Sequence, residues 1–209
     1  PKRAAGITEL EGFEVLVLLR VLVPRWALAP LRRVAASLVL DVDDAVWRRP
    51  ASGRSPFRLR RRLLRTLALV DLVTCGSAYL RHALSSHHPR IRLLPPAVAL
   101  PVQLPTREGP LRALWTGSRA TLPYLEARSE ALAAGLGETT LVVVADEAPT
   151  LPGVRVHYEA WTPQAERAAL EQAEIGLYPL PRDPWSEGKC AFKVRLYMAY
   201  GLASLSVPW

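Results

Sequence analysis

Short apolar runs alternate with segments of helical periodicity along the whole chain, and this alternation limits the possible folds more than any other feature. Phe13 to Leu19 (FEVLVLL) and Ser37 to Asp41 (SLVLD) read as strands buried on both faces. Asp71 to Cys75 and Ile91 to Leu94 are shorter runs of the same kind. Helices are expected between them, over Trp26 to Ala36, Phe57 to Leu69 and Tyr79 to Leu84. The second of these opens at Ser55-Pro56, with Ser55 as N-cap and Pro56 at the first helical position. Gly76-Ser77 reads as a turn that caps the third.

Leu100 to Pro110 (LPVQLPTREGP) carries three prolines and reads as a linker. The pattern then restarts. Leu111 to Thr116, Leu141 to Ala145, the alternating Val154, Val156 and Tyr158, Ile175 to Pro179 and Ala203 to Val207 are strand candidates. Helices are expected over Leu122 to Leu136 with Thr121 as N-cap, from Thr162-Pro163 to Ala173 with Glu166 in the first turn, and over Lys189 to Tyr200. Strands alternating with helices predict parallel sheets covered on both sides. The fold class expected is therefore α/β, two Rossmann-like domains facing a cleft, spanning residues 1–104 and 105–209. The chain opens Pro1-Lys2-Arg3 without a Met and stops directly after a strand-like run, so truncation at both ends is expected.

Of 209 residues, 50% are hydrophobic and 22% charged, which excludes a disordered or collagen-like chain. Cys75 and Cys190 are too few for a disulfide scaffold and match no zinc spacing, so both read as reduced core thiols. No run of 18 apolar residues predicts a spanning helix. The net charge of +8 is unevenly spread: residues 1–110 carry 18 basic and 8 acidic groups, and residues 111–209 carry 9 and 11. A basic first half suggests an anionic partner: a membrane surface, a nucleic acid or a phosphorylated substrate.

Tyr178 to Ser206 (YPLPRDPWSEGKCAFKVRLYMAYGLASLS) is the most informative stretch. Strand, irregular loop and helix follow one another, with the helix expected to open at Gly188-Lys189. Free N–H groups and the macrodipole at such a start bind phosphate. Lys189 and Lys193, four apart, would share one helix face. In a chain with 24 Arg and 3 Lys, two lysines here hint that a compact ammonium is required. A solvated helix face is the alternative.

This segment resembles the donor-binding segment of GT-B glycosyltransferases of the retaining family 4, or group 1, type. Pro179 to Lys193 is similar to the pattern P-L-x-D-x-P-W-x-x-G-K-x-x-x-K, with Pro181-Arg182-Asp183 in its variable part. Weaker similarities follow in the family's order at Val39 to Trp47, Val73 to Leu80, Leu94 to Val98, Trp115 to Leu125 and Trp161 to Leu170. The family's paired carboxylates, spaced E-x7-E, would fall at Gly188 and Leu196. Leu196 cannot hydrogen-bond a ribose hydroxyl, and Glu187 is the neighbouring candidate for part of that role. The resemblance implies a nucleotide-diphosphate sugar as donor, a carbohydrate or lipid-linked acceptor, no cofactor and no catalytic metal.

Asp43 and Asp44 follow a buried strand, where carboxylates face a ligand cleft and could orient an acceptor hydroxyl or assist proton transfer. A strand-end turn with an Asp cap is the alternative. Gly117-Ser118 follows the first strand of the second half, where a tight turn lets backbone approach a phosphate; an ordinary loop explains it equally well. Arg58, Arg61, Arg62 and Arg65 lie on an amphipathic helix that can rest on anionic lipid or remain a solvated face. No stacking platform accompanies it, so nucleic acid is not expected as a partner.

The function expected is sugar transfer in cell-surface polysaccharide or glycolipid synthesis. The donor is held by Gly117, Ser118, Glu187, Gly188, Lys189 and Lys193, and Asp43 and Asp44 act on the acceptor. The expected location is cytoplasmic, peripheral at the inner face of the membrane. A non-catalytic binding module and a GT-B-shaped nucleotide-sugar epimerase are the competing readings.

Overall fold

A computed structural model describes residues 7, 9–48 and 56–206. The chain divides into two compact units, Pro1–Pro96 with Asp183–Cys190, and Ala97–Arg182 with Ala191–Trp209.

The first unit is built on four parallel strands in the order β1-β2-β3-β4: β1 Val15–Leu19, β2 Ser37–Val42, β3 Leu72–Cys75 and β4 Ile91–Leu93. Helices α1 (Arg25–Val34), α2 (Phe57–Leu67) and α3 (Ala78–Leu84) connect them. Consecutive strands are sheet neighbours in one direction, so right-handed crossovers place all three helices on the same face. That face is the core: Leu38, Leu40, Val42, Val73 and Cys75 are sealed against Leu31, Leu63, Leu67, Leu80 and Leu84. Ser77 caps α3 by accepting the Leu80 N–H at 3.2 Å, as its position after Gly76 predicts. Ser55, the expected N-cap of α2, lies outside the described residues.

Covering on both faces is not found for this sheet. Val15, Val17 and Leu19 of the edge strand β1 are more than half exposed, and Val39, Asp41, Leu72 and Thr74 beside them are only partly covered. Among the described residues, no helix of this unit packs on that side.

The second unit has five parallel strands in the order β7-β6-β5-β8-β9: β5 Arg112–Thr116, β6 Thr140–Ala145, β7 Val156–Ala160, β8 Ile175–Tyr178 and β9 Ala203–Ser206. In chain order this is 3-2-1-4-5, the doubly wound arrangement, and both faces are packed as the apolar runs predict. On one side Leu114, Val142 and Val144 meet α6 (Pro163–Gln172) and α7 (Phe192–Ala199) through Leu170, Leu196 and Tyr197. On the other, Ala113, Trp115, Leu141 and Val143 meet Leu122 and Leu125 of α4 (Leu122–Glu126).

The single helix expected over Leu122 to Leu136 is two, α4 and α5 (Ser129–Leu136). At the break Glu126 accepts the Thr150 N–H at 2.8 Å and Ser129 Oγ donates to the Pro152 carbonyl at 3.1 Å, fastening the loop after β6. Thr121 stands at the N-cap position of α4 as expected, but its hydroxyl makes no cap; it instead closes the Ser118 turn, at 3.1 Å to the Ser118 carbonyl.

Candidate functional site

The sheet of the second unit changes direction between β5 and β8, and ligands of such sheets bind outside the carboxyl ends of the strands at that point. The two strands pair only over Ala113–Ile175 and Leu114–Gly176, then part. Tyr197 of α7 fills the gap. Its hydroxyl accepts the Thr116 N–H at 3.2 Å and donates to the Leu177 carbonyl at 3.3 Å, satisfying backbone groups that the ladder leaves open. The ring lies against Gly176, where a Cβ would come within 2.3 Å of it. Full burial pushes the Tyr197 phenol upward, so it stays neutral.

Immediately beyond, at the end of β5, three polar side chains converge. Lys193 Nζ is 2.6 Å from Glu166 Oε1 and 3.4 Å from Thr116 Oγ1, and Thr116 Oγ1 donates to Glu166 at 2.5 Å. Burial pushes the Glu166 carboxyl up. Hydrogen bonds from Lys193 and Thr116, and the Lys193 charge, outweigh it and hold the group below the ordinary glutamate range. Lys193 lies in the first turn of α7 and Glu166 in the first turn of α6, so both helix starts point toward the end of β5.

Gly117 and Ser118 continue from Thr116. Gly117 has a packing reason to be glycine: a Cβ there would meet the Trp115 ring at 2.4 Å. Ser118 is exposed, and its N–H donates to Thr121 Oγ1 at 3.3 Å. Arg119 is held away by Asp146, which accepts its N–H at 2.6 Å, and by a Glu147 ion pair at 2.7 Å.

The helix expected to open at Gly188-Lys189 starts three residues later, at Phe192, with Ala191 at a left-handed φ of 51° as N-cap. Lys189 is therefore in a turn, and the two lysines do not share a helix face. The reason is the Asp183–Cys190 segment, which folds onto the first unit. Asp183 Oδ1 accepts the N–H groups of Trp185 and Ser186, at 2.8 and 2.9 Å, winding the segment into consecutive turns. Gly188 packs so closely on Ala45 that a Cβ would come within 2.4 Å of the Ala45 Cβ, and Cys190 Sγ donates to the Asp43 carbonyl. The backbone cannot enter the helix until it has passed Cys190. Cys190 and Cys75 are both buried, and neither is in a disulfide.

A second polar cluster results, at the carboxyl end of β2. Lys189 Nζ is 3.3 Å from Asp44 Oδ1 and 4.2 Å from the centre of the Trp185 ring, a cation–π contact. Arg20, which leaves β1 at a left-handed φ of 55°, reaches Asp43 Oδ1 with Nε at 3.3 Å and Asp44 with Nη1 at 3.6 Å. Burial raises the Asp43 carboxyl above its ordinary value, Arg20 works against that, and the neighbouring Asp44 and Asp41 charges add to it. Asp43 Oδ1 is sealed from solvent without a hydrogen bond of its own. Glu187 is half-buried on the same segment.

The residues expected to form one donor site thus fall into two clusters. Glu187, Gly188 and Lys189 join Asp43 and Asp44 in the first unit. Gly117, Ser118 and Lys193 join Thr116 and Glu166 in the second. Leu196, where a family carboxylate would fall, belongs to the apolar core under the second sheet. Nothing local in the sequence marks Arg20 or Thr116 as site residues, and Trp185 stands in the P-W-x-x-G-K pattern without a role that the pattern assigns. Glu166 was visible only as a first-turn anion.

No protein-family model matches the chain, and no curated protein matches it in sequence. Solved structures match its fold. Sucrose-phosphate synthase from Thermosynechococcus elongatus superposes with a TM-score of 0.71 at 14% identity, covering 99% of this chain and 59% of that one. TarM gives 0.62 at 7% identity, over 97% and 43%. The Glycosylation Associate Protein (Gap123) complex from Streptococcus agalactiae gives 0.52 at 10%, over 100% and 45%. The chain spans about half the length of these structures. At such identities the likeness establishes the fold, two parallel-sheet Rossmann-like units of the GT-B glycosyltransferase type.

Proposed function

We propose that this chain takes part in sugar transfer from a nucleotide-diphosphate sugar, and that the diphosphate binds at the end of β5. The observation that carries this reading is the Lys193–Glu166–Thr116 cluster at the switch point of a 3-2-1-4-5 sheet. A diphosphate there would exchange with Glu166 for the Lys193 ammonium. Ser118, exposed beside it, supplies a hydroxyl donor. As the sugar departs, negative charge grows on the leaving diphosphate, and a preplaced ammonium stabilises that charge more than the ground state.

In the first unit, Asp43 and Asp44 are assigned to the acceptor. Burial moves the Asp43 carboxyl toward the pH at which a carboxylate takes a proton from a hydroxyl effectively. Lys189 holds Asp44 in place. Glu187 is assigned a hydroxyl of the nucleotide or sugar. A family 4, retaining mode of transfer to a carbohydrate or lipid-linked acceptor in polysaccharide or glycolipid synthesis follows from the resemblance at Pro179 to Lys193.

A second reading, a binding module without catalysis, draws on the ion pairs of both lysines and on Leu196 in the core. A thermal-shift panel of nucleotide sugars tests binding first. A ligand at about 100 times its Kd adds about 2.7 kcal/mol to the folded state. One nucleotide sugar raising the melting temperature, followed by new glycoside in a mass-spectrometric assay with mixed acceptors, supports transfer. Binding without turnover supports the module, and no shift with any nucleotide sugar contradicts both.

A further inference from the structure

We propose that the outer surface of α1 and α2 docks on an anionic lipid bilayer. The two helices are neighbours on one face of the first sheet, tied where the Val23 N–H donates to Thr66 Oγ1 at 2.8 Å. Their inner faces, Ala27 and Leu31 on α1, Leu63 and Leu67 on α2, are buried in the core. Neither helix contains a carboxylate.

The outward residues are of two kinds. Arg25 and Arg33 on α1, with Arg58, Arg60, Arg61 and Arg62 on α2, are exposed cations. Arg32 is set apart, bound inward to Asp71 at 2.8 Å, and Arg65 is half-buried. Among these cations stand large apolar side chains that water does not favour: Phe57 at 71% exposure, Trp26 at 48% and Leu64 at 39%. Phe57, Arg61 and Leu64 follow one another at helical spacing, and the Arg61 guanidinium lies 5.4 Å from the Phe57 ring centre. Phosphate alone would use the arginines and leave the apolar groups in water. A bilayer uses both, with headgroups for the cations and the acyl boundary for the rings. No helix among the described residues is long and apolar enough to cross a membrane, so the contact is lateral.

This surface belongs to the first unit alone, and the proposal stands whether or not the chain transfers sugar. The test is flotation of the full chain with vesicles of phosphatidylcholine, with and without about a third phosphatidylglycerol. Binding is expected only to the anionic vesicles, and weakening as salt rises from about 0.1 to about 1 M. Each basic residue near the surface contributes about a fivefold factor. Arg58→Ala/Arg61→Ala/Arg62→Ala should therefore lower partitioning about 100-fold, and Trp26→Ala/Phe57→Ala about tenfold. The charge-matched control Arg90→Ala/Arg128→Ala/Arg182→Ala should bind as the parent does. Hydrogen exchange of the unmodified chain, expected to slow over residues 57–64 on vesicles, reads the same contact without any substitution. Equal binding to neutral vesicles overturns the proposal, as does an equal loss in the control. So does a DNA duplex that binds more tightly than the vesicles and displaces them.

Discussion

Replacing Lys193 by Met tests the cluster at the end of β5 through its energetics. The pair it breaks is close and mostly buried: 2.6 Å apart, with side chains 24% and 16% exposed. At an effective dielectric of about 20, two charges at that distance attract by about 6 kcal/mol, most of which desolvation cancels. Exposed pairs are worth at most about 1 kcal/mol, and breaking fully buried ones costs about 3–5. A value between these, about 2 kcal/mol, is expected for Lys193→Met at neutral pH. For a unit of this size that lowers the melting temperature by about 10 °C.

Glu166→Gln should cost a similar amount. The double variant should cost little more than either alone, since neutral groups of similar size leave no stranded charge. Urea unfolding of the four proteins gives the coupling energy, expected at about 2 kcal/mol. The pH dependence has a defined sign. Glu166 is held below its ordinary value, so its pairing stabilises the fold fully above about pH 4.5 and less as pH falls through the lowered value. The penalty of Lys193→Met should shrink as pH falls, beginning at a higher pH than that range, because the buried carboxyl protonates more readily without Lys193. A coupling below about 0.5 kcal/mol, or a penalty independent of pH, would refute the reasoning.

Gly176→Ala puts a Cβ within 2.3 Å of the Tyr197 ring, and should cost about 1–3 kcal/mol by overpacking, read as a shift in the urea midpoint. Tyr197→Phe leaves the buried Thr116 N–H and the Leu177 carbonyl short of a partner; a loss of about 1–3 kcal/mol is expected in the same assay. Asp43 is raised in the folded state, so its ionised form works against folding above that value and the effect vanishes in acid. After solvent screening, Asp43→Asn should stabilise by a few tenths of a kcal/mol at pH 7 and by nothing near pH 3, while weakening any transfer activity. Thermal melts at the two pH values check it.

The parallel sheets were legible because their strands are continuous apolar runs. LVVVA can satisfy both faces of β6 only inside a double-sided core, and Leu141, Val143 and Val144 are fully sealed there. The edge strand β1 misled for the same reason: its run is equally apolar, yet Val15, Val17 and Leu19 face outward. The start of α7 was misplaced because Gly188-Lys189 imitates a helix opening locally. What delays the helix is tertiary: Gly188 against Ala45 and Cys190 against Asp43, contacts more than 140 residues apart in the chain. The same distance hid the site. Lys189 and Lys193 were visible as unusual residue types, but Asp44 and Glu166 as their separate partners are products of packing.

The most direct measurement is a calorimetric titration of the full chain with nucleoside diphosphates and with the corresponding free nucleosides. It is run on the parent and on Lys193→Met/Glu166→Gln, the variant that lacks the ammonium without stranding the Glu166 charge. The diphosphate is expected to bind the parent more tightly than the nucleoside, and to lose at least about tenfold, about 1.4 kcal/mol, in the variant. Equal affinity for diphosphate in the two proteins, or no preference for the diphosphate in the parent, would contradict it.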